Sequence, residues 1–284
     1  MSLESASLAR LGQAWYNDQM QNASVLVVGD LHFPYHHRDA LDFVSALCQR
    51  YKPDCVVQIG DETDQHAISY HEHDPDLPSA GEEFQRARQC LWDLRDIIGE
   101  RVRILESNHG SLVQRKRLTA GLPVVSVKSY RDMWFGEHRD NADRLILEEC
   151  PKGRPAHWTW HFDVKLPLCT GEEVYFHHGK TANVMKLSQA MGMSAVQGHY
   201  HELCGAQYWG TPNGLHFAAQ TGCLVDWHSL AMAYAKNNLK RPVLGSLIIL
   251  DGLAFVVPMV LNNKGRWIRQ LPRKLSYVKV GTHR

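Results

Sequence analysis

A chain of 284 residues with 44% hydrophobic content can bury a sizeable core as one large domain or two small ones, and its formal net charge of only +1 describes a nearly neutral body. Seven cysteines, odd in number, scattered and never spaced C-x-x-C, exclude a disulfide framework or a zinc ribbon and predict thiols in a reducing cytosol. With no signal-peptide start and no apolar run of membrane-spanning length, the expectation is a cytoplasmic protein without a membrane partner, while 17 histidines direct attention to metal or acid/base chemistry.

Leu8, Leu11, Ala14 and Trp15 recur at helical spacing, so residues 1–22 read as an N-terminal helix or arm. Ser24 to Val28 is an apolar run that stops at Gly29 and Asp30, the pattern of a buried strand. Ala40 to Tyr51 suits a helix ended by Pro53, and Cys55 to Ile59 repeats the motif of apolar strand followed by Gly-Asp. Glu83 to Ile98 places Phe84, Ala87, Leu91, Leu94 and Ile98 on one helical face before Gly99. Val102 to Leu105 is a third strand, running into Ser107, Asn108 and His109. Strand, helix, strand, helix, strand predicts a parallel α/β sheet, which binds ligands beyond the carboxyl ends of its strands, so the three polar clusters converge.

The second half reads as short strands with turns between them: Glu173 to Phe176, Ala195 to Gln197, Leu215 to Ala219, Leu244 to Leu250 and Leu253 to Val260, the last two joined by an Asp251-Gly252 hairpin signal. The expected fold is one α/β domain over residues 23–262 built on two packed sheets. Two connections are long. The first, Glu62 to about Ala80, holds His66, His71 and His73 and reads as a polar surface loop, with a site-lining role as the alternative; the second runs from Gly110 to about Pro155. After it, Trp158, Trp160 and Phe162 share one face of a strand, read as core packing rather than a base-stacking platform. No acidic residue follows Asp251, so 263–284, with Lys264, Arg266, Arg269, Arg273, Lys274, Lys279 and Arg284, is a basic tail, either a solvated end or a phosphate contact.

Singly, each polar cluster is weak evidence. Together, and in order, GDLH (Asp30, His32), GDETD (Asp61, Asp64), SNHG (Asn108, His109), HHG (His178) and GHYH (His199, His201) resemble the calcineurin-like metallophosphoesterase superfamily, whose pattern is D-x-H, GDxxD, GNH before an acidic residue, a histidine before glycine, and GHxH. The resemblance covers residues 25 to about 205 and implies a four-layer α/β/β/α sandwich around a two-sheet core. Carboxylate, imidazole and amide donors suit borderline divalent ions, manganese foremost, with iron, zinc, nickel, cobalt or magnesium as alternatives. By resemblance, Asp30, His32, Asp61 and His201 bind a first metal, and Asp61, Asn108, His178 and His199 a second, with Asp61 shared and a metal-bridging hydroxide as nucleophile. The i, i+2 spacings of Asp30/His32 and His199/His201 keep both side chains on one side of an extended segment. His109 would stabilise or protonate the leaving oxygen, and Asp64 would pair with it to fix its tautomer and raise its pKa, or merely cap the following turn.

The chain departs from the pattern at Ser107 and Gly110, and His177 beside His178 makes the ligand ambiguous, settled here for the residue that directly precedes glycine. GDETDQH and ESNHG lack the arginines with which phosphoprotein phosphatases of this superfamily grip a phosphomonoester dianion. That favours a phosphodiester, with nucleic acid the preferred substrate and Arg115, Lys116 and Arg117 able to track its backbone. A small cyclic or linear nucleotide, a phosphomonoester, a phosphoprotein and an inactive interaction scaffold are the other readings. His36 and His37 read as an exposed loop.

Overall fold

The structure, a computed structural model, describes residues 22–70, 74–128, 133–134, 158–235 and 239–272. The predicted helix or arm over 1–22 lies outside these except for Asn22, as do His71, His73, most of the stretch between 129 and 157, and the tail beyond 272.

The first sheet has the order β11-β10-β1-β2-β3-β4, formed by β1 (Ser24–Val28), β2 (Cys55–Gln58), β3 (Val102–Leu105), β4 (Trp158–His161), β10 (Gly245–Leu250) and β11 (Leu253–Pro258). β1 to β4 are parallel, while β10 and β11 form an antiparallel hairpin that pairs onto β1. β1 is buried at all five positions because its two faces meet different layers. Val25 and Val27 point toward the second sheet, whereas Leu26 and Val28 alternate to the opposite side. There they pack under α1 (Ala40–Tyr51) and α2 (Ala80–Ile98), which contribute Phe43, Val44, Leu47, Ala87, Leu91 and Leu94.

The second sheet has the order β5-β6-β7-β9-β8, from β5 (Val164–Pro167), β6 (Glu173–His177), β7 (Ser194–Gln197), β8 (Cys204–Thr211) and β9 (Gly214–Thr221). Phe176, Val196, Phe217 and Ala219 fill the space between the sheets. With α3 as Leu112–Thr119, the next described helix is α4 (Val184–Met191), whose Leu187 packs on Tyr175 and Ala195 on the outer face. Helices, sheet, sheet and helix make the four-layer arrangement that the resemblance implies.

Several elements differ from expectation. α2 begins at Ala80 rather than Glu83 because Ser79 and Glu82 close a capping box. The second half is a parallel unit as well: β6, α4 and β7 form a crossover, β7 pairs parallel with β9, and β5 and β8 are antiparallel edges. Trp158 is buried and its indole donates to the Gly99 carbonyl at 2.9 Å, but the strand ends at His161 and Phe162 turns outward. Residues 62–66 turn inward rather than running over the surface, while Tyr70, Pro75 and Asp76 are exposed as a surface loop requires. Glu62, Thr63, Asp64, Gln65 and His66 are all buried, and the Glu83 carboxylate accepts the His66 and Ala67 N–H groups at 2.7 and 2.8 Å.

The boundary at 262 divides a segment that the structure ties to the body. Trp267 is buried against Phe43, with ring centroids 5.4 Å apart, and the Arg266 guanidinium donates to Asp39, as does the Trp267 N–H at 2.9 Å. His37 donates from Nε2 to the Gly265 carbonyl at 3.0 Å, so it anchors this segment rather than forming an exposed loop. The six described cysteines are free thiols. Among the described residues, no helix is long and apolar enough to cross a membrane.

Candidate metal centre

Register positions the site. Val28 pairs with Gln58 and Gln58 with Ile104, while His177 pairs with Gln197 and Gln197 with Gln220. The residues that follow β1, β2, β3, β6 and β7 therefore leave their sheets at a common edge, where the two sheets are joined by hydrogen bonds. His199 N–H donates to the Asp30 carboxylate at 3.1 Å, and His178 Nδ1 donates to the Ile59 carbonyl at 3.0 Å. The backbone there is not extended, as the i, i+2 spacing suggested. Asp30, His32, Asp61 and His199 have φ of 49°, 51°, 49° and 68°, left-handed turns that fold each side chain back over the strand ends.

Two glycines make the close approach possible. A Cβ on Gly60, where φ is 109°, would lie 2.5 Å from His178 Nδ1, and one on Gly198 would lie 2.6 Å from an Asp30 carboxylate oxygen. Both glycines belong to the recognised motifs.

Asp30, His32, Asp61 and His201 form one group and Asp61, His178 and His199 another, each with its candidate ligand atoms within 4.8 Å of one another. Asn108 joins the second through Oδ1, 2.8 Å from His178 Nε2. The donor atoms face each other: His32 Nε2 is 3.2 Å from His201 Nε2, and the second Asp61 oxygen is 3.2 Å from His178 Nε2 and 3.6 Å from His32 Nε2. The remaining nitrogens are already engaged. His32 Nδ1 donates to Asp64 at 2.6 Å and His178 Nδ1 to Ile59, which leaves both Nε2 lone pairs pointing inward. Convergent N and O donors of this kind fit divalent metal ions, and Asp61 belongs to both groups.

Charge in the cluster is strongly coupled. Burial disfavours a charged His178, but the adjacent Asp61 carboxylate lifts it to about 9; a cation binding there must displace that proton. Burial likewise opposes ionisation of Asp61, yet the charge of His178 holds it well below the usual carboxylate range. His32 and His199 are lowered, in each case chiefly by burial.

The Asp64 carboxylate bonds His32, not His109. Its main-chain carbonyl accepts from His109 Nδ1, while its Oδ1 lies 3.5 Å from that nitrogen, so the link to His109 runs through the backbone and through space. Against burial, the charges of Asp61 and Asp64 raise the His109 pKa. The SNHG turn is clamped by residues that the motif does not contain. Gln65, itself left-handed at φ 57°, donates to the His109 carbonyl at 2.7 Å, Arg115 donates to the Asn108 carbonyl at 2.6 Å, and the His109 N–H donates to Asp61 at 3.2 Å. Nothing local in the sequence signals Gln65; Arg115 stands out only as one of three successive basic residues. Ser107 has a use at the departure from the family pattern: its hydroxyl accepts the Gly110 N–H at 2.9 Å.

The other described histidines stay outside these two groups. His177 accepts the Gly179 N–H at 3.0 Å and stacks on Tyr175, so the cluster takes in His178 and leaves its neighbour out. Lys116 donates to the Ser69 carbonyl at 3.4 Å and Arg117 to the Leu122 carbonyl at 2.5 Å. The basic run therefore braces the 65–70 stretch and the end of its own helix.

No family model matches the sequence, and no curated protein matches it. Among solved structures, Vacuolar Protein Sorting 29 from Cryptosporidium parvum is 13% identical, with 86% of this chain and 94% of that one covered at a TM-score of 0.43. Vps29 from Chaetomium thermophilum is 10% identical, with 88% and 95% covered at a TM-score of 0.45. These values are too low for the likeness to bear on function, which rests on the site geometry.

Proposed function

We propose that this chain is a phosphoesterase that hydrolyses phosphodiesters with two divalent cations, manganese foremost, and that a nucleic-acid strand is its favoured substrate. The observation that supports this reading best is the sharing of one buried carboxylate, Asp61, between two groups of convergent donors. Asp30, His32, Asp61 and His201 would hold one ion, and Asp61, Asn108, His178 and His199 the other. Ions held there would supply a Lewis acid that lowers the pKa of water and offsets the negative charge of the phosphate.

The chain's own groups prepare and complete the reaction. Asp64 and the Ile59 carbonyl hold His32 and His178 in the ligating tautomer. His109 keeps its Nδ1 on the Asp64 carbonyl, and Nε2, which forms no hydrogen bond among the described residues, can donate a proton to the departing oxygen. The charges of Asp61 and Asp64 favour the protonated imidazole this requires. Arg115 and Lys116, the cations nearest the third motif, are engaged with carbonyl oxygens. With these two so engaged, the third motif offers less grip for a dianionic monoester than for the single charge of a diester.

The test strips metal with chelator, restores manganese, and compares bis(p-nitrophenyl) phosphate with p-nitrophenyl phosphate, together with bound-metal analysis. Diester cleavage that returns with metal supports the reading. Protein that binds no metal and cleaves neither ester is a scaffold, and much faster monoester cleavage refutes the diester preference.

A further inference from the structure

A cleft of about 900 Å³ opens beside the metal centre, and its lining includes Arg38, Asp226, Trp227, Arg241, Val243 and Lys264. That volume lies at the upper end of the range for built ligand sites. Its wall and the metal centre share backbone. Leu224 N–H, just ahead of the 225–227 wall, donates to the Asp30 carbonyl at 3.0 Å, and Val243 N–H donates to the His201 carbonyl at 2.8 Å. The lining carries the cations Arg38, Arg241 and Lys264 against the single carboxylate Asp226. Arg38 and Lys264 are exposed and form no ion pair among the described residues. Arg241 lies over the half-buried Trp227 indole, 4.5 Å from its centroid, a cation–π contact that sets a positive charge against the ring.

We propose that this cleft binds a single-stranded stretch of nucleic acid, with a base stacked on Trp227 and backbone phosphates on Arg38 and Lys264. A flat aromatic plane flanked by cations matches alternating bases and phosphates. An acidic peptide would use the cations and gain nothing from the plane. The proposal deepens the phosphodiester reading, since it gives the strand a path beside the ions, but the cleft contains none of the seven candidate ligands and can be tested without turnover.

The probe is fluorescein-labelled decathymidylate, followed by anisotropy in chelator so that no cleavage occurs, with melting curves confirming that each variant is folded. The parent is expected to bind, Trp227→Ala to weaken binding by about tenfold or more, and Trp227→Phe to recover most of it. The double variant Arg38→Ala with Lys264→Ala should flatten the slope of log affinity against log salt by about 1.4, the value for two lost contacts to a single strand. Failure of the parent to bind, unchanged affinity in both variants, or displacement by hexaglutamate as effective as by unlabelled oligonucleotide would overturn the proposal. Small-diester cleavage by the parent is scored separately. Binding through these residues without cleavage upholds the cleft and sinks the phosphodiesterase reading, and cleavage without such binding does the reverse.

Discussion

Asp61→Asn removes the one carboxylate common to both donor groups while preserving the local backbone. Asp61 sits at φ 49°, a conformation that asparagine tolerates and alanine does not, so Asp61→Asn isolates the charge where Asp61→Ala would add strain. At metal about a thousandfold above Kd, each occupied site stabilises the parent by about 4.1 kcal/mol. Losing a group that only supports a ligand weakens metal binding by about 10- to 100-fold, so a lost shared ligand belongs at the upper end or beyond. A 100-fold loss at the same metal concentration removes about 2.7 kcal/mol per site, or about 5–11 °C of Tm for each. Asp61 also faces the charged His178 in the metal-free chain, so the substitution shifts the baseline as well. The quantity to compare is therefore the rise in Tm from chelator to manganese within each protein, measured by calorimetry beside the bound-metal stoichiometry. A rise as large in Asp61→Asn as in the parent, with two ions retained, would refute the shared-carboxylate assignment.

His109→Ala should keep both metals and slow diester hydrolysis by about 10²- to 10⁴-fold, and undiminished turnover would remove it from the mechanism. Gly198→Ala places a Cβ 2.6 Å from an Asp30 oxygen and 2.8 Å from Ile59 Cγ2, both on buried, packed groups. It should cost about 1–3 kcal/mol and lower metal content, and normal metal content would show that the strand ends can yield. Asp39 is held at about 2, chiefly by its hydrogen bonds from Arg266, so this carboxylate adds stability above its ordinary pKa near 3.8 that is lost as pH falls through about 2. The Tm gap between parent and Arg266→Ala should be open at pH 5–7 and narrow below about pH 4; a gap independent of pH would show that Arg266 acts by packing alone.

The clustering of the candidate ligands was legible because it follows from local pattern. Asp30, Asp61, Asn108, His178 and His199 each lie within a few residues of a strand's carboxyl end, and glycines mark two of the close contacts. How the donors are aimed was not legible, because left-handed φ at Asp30, His32, Asp61 and His199 is imposed by tertiary contact against local preference. Asp64 shows the same limit from another side. Its place in the motif suggested His109 as its partner, but only the packed structure brings its carboxylate to His32. Gln65 reaches the His109 carbonyl across 44 positions of chain, and no pattern in either segment announces that bond. In the second half, α4 is only eight residues long, so Asn183 as cap and Gly192 as stop were weak signals. β8 is half-buried along most of its length, without the clean alternation that reveals a strand. The charge pattern misled at Arg266 and Arg269, whose partners Asp39 and Asp42 lie 227 positions away.

Strain and charge converge on the same few residues, which bears on what the metal-free chain can be. Eight non-glycine residues have positive φ among those described, and Asp30, His32, Asp61, His199 and the bracing Gln65 are five of them. Such conformations cost of order 1–3 kcal/mol each and persist where surrounding contacts over-determine them. Here they coincide with the nearly fully buried carboxylates Asp30, Asp61 and Asp64. Protonated histidines offset that charge only in part, since burial drives His32 and His199 toward the neutral form. Cations entering the centre would relieve the repulsion and hold the left-handed turns together. The metal-free protein should accordingly open first at the residues following β1, β2 and β7, while the strands beneath stay protected, a difference that amide hydrogen exchange with and without manganese would resolve.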